Sequence, residues 1–222
     1  MASVCLLLAC GAVQATLLNG KLMILGSSTA AGTGASLPAK SWAGQLAVWL
    51  EQYKNAQTRN LAVSGSLTSA ALCADQRTTA ATRDKVGPIK GADLAIASGA
   101  THAILSFPSN DTMAGMSAQQ TVNNLLEIRR CLTDAGVKVA VLSTLPRSGL
   151  SDGQRQTMTR IDQELRRALG RCFLDVHSML ADTAGVEPAR TLSAGDGVHF
   201  NDRGHAVIYS AVRRFLESGE CF

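Results

Sequence analysis

The feature that most constrains this chain is a rhythm. Short apolar runs at Lys21–Leu25, Leu61–Val63, Ala103–Phe107, Val137–Ser143 and Cys172–Val176 alternate with stretches of helical periodicity. A short continuous apolar run between helices reads as a strand buried on both faces. The helical stretches are Trp42–Tyr53, Gln119–Ala135, Gly153–Leu169 and Arg203–Leu216. In the first of these, Trp42, Leu46, Trp49, Leu50 and Tyr53 fall near one face. Strands alternating with helices predict an α/β chain whose parallel sheet is covered on both sides. In such sheets ligands bind outside the carboxyl ends of the strands. The residues that follow each strand are therefore the informative ones.

At 222 residues, with 46% hydrophobic residues, the chain can bury the core of one such domain, and global disorder is excluded. The formal charge is only +4. The arginine pairs Arg129/Arg130, Arg166/Arg167 and Arg213/Arg214 each fall toward the end of an expected helix, where cations complement the helix dipole. No basic patch interleaved with aromatics is visible, so nucleic acid is not an expected partner.

The first twenty residues contain no Lys, Arg, Asp or Glu, and their apolar stretch ends near Leu18. That is short of the roughly 20 apolar residues needed to span a bilayer, and it reads as an export leader. Val13-Gln14-Ala15 fits cleavage after Ala15, whereas Leu7-Leu8-Ala9-Cys10 resembles a lipobox that would lipidate Cys10. The expectation is a leader over 1–15, a single domain over 16–222, an exported protein, and membrane attachment only through Cys10. Beyond the leader lie Cys73, Cys131, Cys172 and Cys221. None stands in a C-x-x-C or beside a His, so no zinc site is expected. Disulfides suit an exported chain. Cys172 opens a strand and Cys221 follows the last helix, at the same end of an α/β sheet, which favours that pair.

Four blocks follow the strands or sit in the C-terminal loop. They are Gly26-Ser27-Ser28, Ser64-Gly65-Ser66, Pro108-Ser109-Asn110-Asp111, and Gly195-Asp196-Gly197-Val198-His199. In this order they resemble the SGNH hydrolases, also called the GDSL esterase/lipase superfamily, whose Ser, Gly, Asn and His match Ser28, Gly65, Asn110 and His199. The family's Asp, three residues before its His, matches Asp196. Ser27 replaces the usual acidic residue of Gly-Asp-Ser, and Pro108-Ser109 departs from the usual approach to the Asn. The resemblance implies a three-layer α/β/α, flavodoxin-like fold with a five-stranded parallel sheet in the order 2-1-3-4-5. It also implies an ester hydrolase with no cofactor and no metal.

These residue types suit acyl transfer. A serine hydroxyl needs a base in hydrogen-bonding reach, and His199 can take the Ser28 proton. Asp196 can hold the other ring nitrogen and stabilise the imidazolium. The resemblance makes the Ser28 and Gly65 N–H groups and the Asn110 amide the oxyanion donors, a role that needs preorganised donors near the developing charge. Ser27 is the competing nucleophile, and Ser28 and Asn110 could instead be ordinary caps. His102, His177 and His205 read as structural. Arg147, after the fourth strand, is a candidate contact for an anionic or sugar substrate. The favoured reaction is hydrolysis of a small carboxylic ester, such as acetyl on a carbohydrate. Thioesterase or lysophospholipase chemistry, a phosphate-cradling binding module built on 27–34, and a silent relative are the alternatives. The natural substrate and the oligomeric state are not readable.

Overall fold

A computed structural model describes residues 20–74 and 91–222. The expected leader and Cys10 lie outside the described residues. Five parallel strands form one sheet: β1 (Lys21–Gly26), β2 (Gln57–Asn60), β3 (His102–Ser106), β4 (Lys138–Leu142) and β5 (Phe173–Leu174). Their order is β2-β1-β3-β4-β5, as the resemblance implied.

Alternate residues of each strand feed separate cores, because successive side chains leave opposite faces of a sheet. Leu22, Ile24, Ile104 and Leu142 pack against α2 (Trp42–Lys54) and the closing helix α8 (Asp202–Ser218). Met23, Leu25, Ala103, Leu105, Val139 and Val141 pack on the other side. That side is covered by α3 (Ala92–Ala97), α5 (Ala118–Asp134) and α6 (Asp152–Leu169). Short helices α1 (Ser28–Ala31), α4 (Asn110–Met113) and α7 (His177–Leu180) follow β1, β3 and β5 directly. Ser117 and Ser151 open α5 and α6 with capping boxes to Gln120 and Gln154. Among the described residues no helix is long and apolar enough to cross a membrane.

Three expectations need correction. The second strand is not Leu61–Val63 but the polar run Gln57–Asn60, an edge strand largely open to solvent, which carries no apolar signature. The apolar residues still extend its ladder, with Leu61 N–H on the Ile24 carbonyl at 2.8 Å and Val63 N–H on the Gly26 carbonyl at 3.0 Å. Tyr53 is 70% exposed rather than in the core, because its position falls at the solvent edge of α2. Of the arginine pairs, only Arg166/Arg167 stand in a last helical turn. Arg130 and Arg213 instead pair with Asp134 and Glu217 one turn along their own helices.

Two disulfides close the described fold, Cys73–Cys131 and Cys172–Cys221. The second is the favoured pair. It fastens the chain end to the turn that opens β5. The first ties the segment following β2 to α5. Each closes a long loop and is expected to contribute about 2–4 kcal/mol. Peptide mapping after alkylation without reductant should find these four cysteines unmodified, and reductant should lower the thermal midpoint by several degrees.

Candidate active site

The loops after β2, β1 and β3 are neighbours because those strands are neighbours, about 4.8 Å apart. Ser28 opens α1 at the end of β1. It is half-buried, and its Oγ lies 2.9 Å from His199 Nε2. His199 Nδ1 lies 2.6 Å from Asp196 Oδ2. The other Asp196 oxygen accepts the backbone N–H groups of Val198 and His199 at 2.9 and 2.8 Å. Residues 171 positions apart are thus joined in one hydrogen-bonded line. With Asp196 ionised, Nδ1 carries the proton and Nε2 is left as the acceptor facing the Ser28 hydroxyl.

Ser27 cannot compete for the nucleophile's place. It is 1% exposed, and its Oγ has no partner among the described residues. Its N–H is spent on the Ser106 carbonyl of β3 at 3.1 Å. The replacement of an acidic residue here leaves the turn held by that backbone bond.

Gly65 has φ +79°, and nothing lies within 4 Å of where a Cβ would be. The residue is needed for its backbone conformation rather than for room. Among the described residues, the Ser28 and Gly65 N–H groups meet no internal acceptor. Asn110 Nδ2 donates one hydrogen to the Ser66 carbonyl at 3.1 Å, which fixes the amide and leaves its second hydrogen free. All three donors belong to loops at one rim of the sheet.

Residues 24–207 match the GDSL-like lipase/acylhydrolase family. The chain belongs to that family. It is a hydrolase acting on ester bonds. No curated protein matches it in sequence. It is similar to the crystal structure of TesA, with TM-score 0.66 and 16% identity over 90% of this chain and 99% of that one. It is also similar to the psychrotrophic esterase EstA of a Pseudoalteromonas species, inhibited by monoethylphosphonate. There the TM-score is 0.65 at 15% identity, over 90% of this chain and 98% of the other. A two-domain esterase active on acetylated mannans, co-crystallised with mannopentaose, gives TM-score 0.60 at 15% identity; 89% of this chain covers 49% of that one. At such identities the likeness is one of fold.

Sequence reasoning missed what holds the GDSL family's first and last blocks together here. Asp202, at the start of α8, accepts the Ser36 N–H and Oγ–H, each at 2.7 Å, and pairs with Lys40 at 3.1 Å. His205 is fully buried; its Nε2 meets the Thr33 carbonyl at 3.1 Å and its Nδ1 accepts the Trp42 N–H at 3.2 Å. Burial lowers the His205 pKa, which favours the neutral imidazole between these two partners. His102 is likewise buried, lowered to about 4 by desolvation and then by Lys138. Gly34 is the other omission. A Cβ there would strike the Phe200 carbonyl and press on His199 Cβ. Asp111, noted only as Asn110's neighbour, accepts both the N–H and the hydroxyl of Thr68 and so clamps the β3 loop to the segment after Gly65.

Two predictions follow from this geometry. Desolvation acts to raise Asp196, but the His199 backbone and ring and the Val198 N–H outweigh it and hold the carboxyl at about 2. Because the folded value is depressed, the stabilisation is in place above the ordinary carboxylate range and is lost as pH falls toward 2. Carboxyl-carbon NMR should show Asp196 ionised down to about pH 3, so an acid limb of activity above pH 4 belongs to another group. Gly34→Ala should cut kcat/KM by at least about tenfold, since small misplacements at a reacting centre are that costly. A circular dichroism spectrum should show the fold retained.

Proposed function

We propose that this chain is a serine esterase that removes a short acyl group, acetyl on a carbohydrate being the favoured case, through an acyl-enzyme. The observation that carries this reading is the line Ser28 Oγ–His199 Nε2–Asp196 at 2.9 and 2.6 Å. Ser28 Oγ attacks the ester carbonyl as His199 Nε2 takes its proton. Asp196 orients the ring and stabilises the imidazolium. The carbonyl oxygen gains the charge and meets the Ser28 N–H, the Gly65 N–H and the free Asn110 N–H. Collapse expels the alcohol, which takes the proton from His199. Water then attacks the acyl-Ser28, gives His199 a proton, and releases the carboxylic acid and the serine hydroxyl.

The preference for a short acyl group rests on an open site. The Asp196 side chain is half exposed, and among the described residues the large apolar side chains exposed on the adjacent loops are Val63 and Met113. The carbohydrate follows the acetylated-mannan esterase among the similar folds. Thioesterase and lysophospholipase activity use the same chemistry and differ in the leaving group. The phosphate-cradle reading has no need for the Ser28–His199 bond. Two disulfides favour export to an oxidising compartment, which agrees with a leader over 1–15 preceding one catalytic domain.

A panel of nitrophenyl esters and a fluorophosphonate label test the proposal. Wild type should label covalently and prefer acetyl over octanoyl. Ser28→Ala should lose labelling and about 10⁴- to 10⁶-fold in turnover. Asn110→Ala should keep labelling slowly and lose about 10²- to 10³-fold. Octanoyl preference would overturn the short-acyl assignment, and labelling unchanged in Ser28→Ala would overturn the nucleophile.

A further inference from the structure

A second concavity opens on the same rim, beyond the site described. It has a volume of about 350 Å³ and lies at the carboxyl ends of β4 and β5, under α6. Arg147, Arg155 and Arg166 line it, together with Asp162, Asp175 and His177. Both carboxylates are already satisfied. Asp162 accepts the Thr144 N–H at 2.7 Å and the Thr144 hydroxyl at 2.6 Å. Asp175 is paired with Arg166 and accepts the His177 N–H. The other two arginines are only partly engaged. Among the described residues Arg147 has no carboxylate partner and gives one hydrogen, to Ser109 Oγ at 3.3 Å. Arg155 is in a loose ion pair with the exposed Asp152, Nε to Oδ1 at 3.6 Å, and its buried Nη1 has no hydrogen-bond partner among the described residues.

The balance of free groups sets the ligand's sign. An arginine presents five donors in a planar fork that matches a carboxylate. Two such forks with donors to spare, in a cavity where Asp175 is ion-paired and Asp162 is hydrogen-bonded to Thr144, select an anion over a cation. Gln163 and Ser178 also line it and offer neutral partners for hydroxyl groups. The cavity also touches the reaction centre through one segment. Arg147 reaches Ser109, which precedes Asn110, and the Ser148 N–H donates to the Gly197 carbonyl at 2.8 Å, between Asp196 and His199. Counting strands from β1 to β4 and β5 puts the cavity roughly 10–15 Å from the Ser28 loop. That is too far for the acyl group of a short ester, which leaves the cavity to the rest of the substrate.

We infer that this cavity is a subsite for a carboxylate carried by the alcohol part of the substrate, so that the preferred ester sits on an acidic glycan, with Arg147 and Arg155 as the receiving pair. The inference rests on the esterase reading for its context, but binding tests it separately. Calorimetry on the Ser28→Ala protein would use two probes of equal length, a neutral xylo-oligosaccharide and the same chain carrying glucuronic acid. The acidic probe should bind at least about tenfold more tightly, the scale of one charge-assisted hydrogen bond. Arg155→Gln in that background should remove most of the difference. Arg155→Gln alone should leave turnover of nitrophenyl acetate unchanged while lowering kcat/KM on the acetylated acidic oligosaccharide. Equal binding of the two probes, or a preference that survives Arg155→Gln, overturns the subsite whatever the activity. Loss of fluorophosphonate labelling in wild type overturns the esterase reading and leaves the binding result to stand by itself.

Discussion

The site depends on one docking event, the seating of the loop after β1 on the start of α8. Ser28 and His199 belong to opposite ends of the chain, and nothing local brings them together. Asp202 grips Ser36, and His205 grips Thr33, from positions three and six residues beyond His199. Gly34 lets the two backbones close to contact. Thr33 also meets Ser64 through their hydroxyls at 3.3 Å, which carries the same alignment across to the Gly65 loop. Closing so long a loop costs configurational entropy that a single Ser–His hydrogen bond could not offset. The tie is therefore distributed over a carboxylate, a buried imidazole and a bare backbone contact. The Ser28–His199 distance is a consequence of those contacts.

A similar division of labour holds on the other side. Asn110 and Gly65 lie on loops of strands that are not neighbours, since β1 separates β2 from β3. The β2 strand is short, polar and at the sheet edge, so burial alone gives its loop little anchorage. Three crosslinks make up the difference: Asn110 to the Ser66 carbonyl, Asp111 to Thr68, and Cys73 to Cys131 on α5. Asn124 reinforces the second by donating to the Thr68 hydroxyl at 2.8 Å. A loop that must present a backbone N–H at fixed geometry needs such bracing, because a donor loses its catalytic worth when it must reorganise.

Much of this was legible in the residue order and some was not, for a physical reason. Strands buried on both faces advertise themselves as apolar runs, so β1, β3 and β4 were placed within a residue or two. An edge strand has one wet face and a parallel partner that sets its register, so Gln57–Asn60 looks like any polar turn. The four family blocks stood out because they are short, spaced and chemically odd for strand ends. Asp202, His205, Ser36 and Gly34 did not. Their types are ordinary, and their meaning is a long-range contact that only the folded chain reveals. The Asn110-Asp111 pair was the one available signal for a clamp, and it pointed at the turn rather than across to Thr68.

The order of the strands also orders the chemistry. Along the rim, β2 offers a backbone N–H at Gly65, β1 a hydroxyl at Ser28, β3 an amide at Asn110, β4 a guanidinium at Arg147 and β5 an imidazole at His177. In the proposed reaction the first three act at the acyl carbon. The last two border the cavity under α6. A parallel sheet presents all its carboxyl ends on one side, so a substrate laid across the rim meets them in sequence. In the proposed reaction bond cleavage falls among the loops after β2, β1 and β3, which carry the Gly65 N–H, the Ser28 N–H and hydroxyl, and the Asn110 amide. Under the subsite proposal the remaining strands contribute recognition, and Arg147, which borders the cavity and reaches Ser109, is where the two would be coupled.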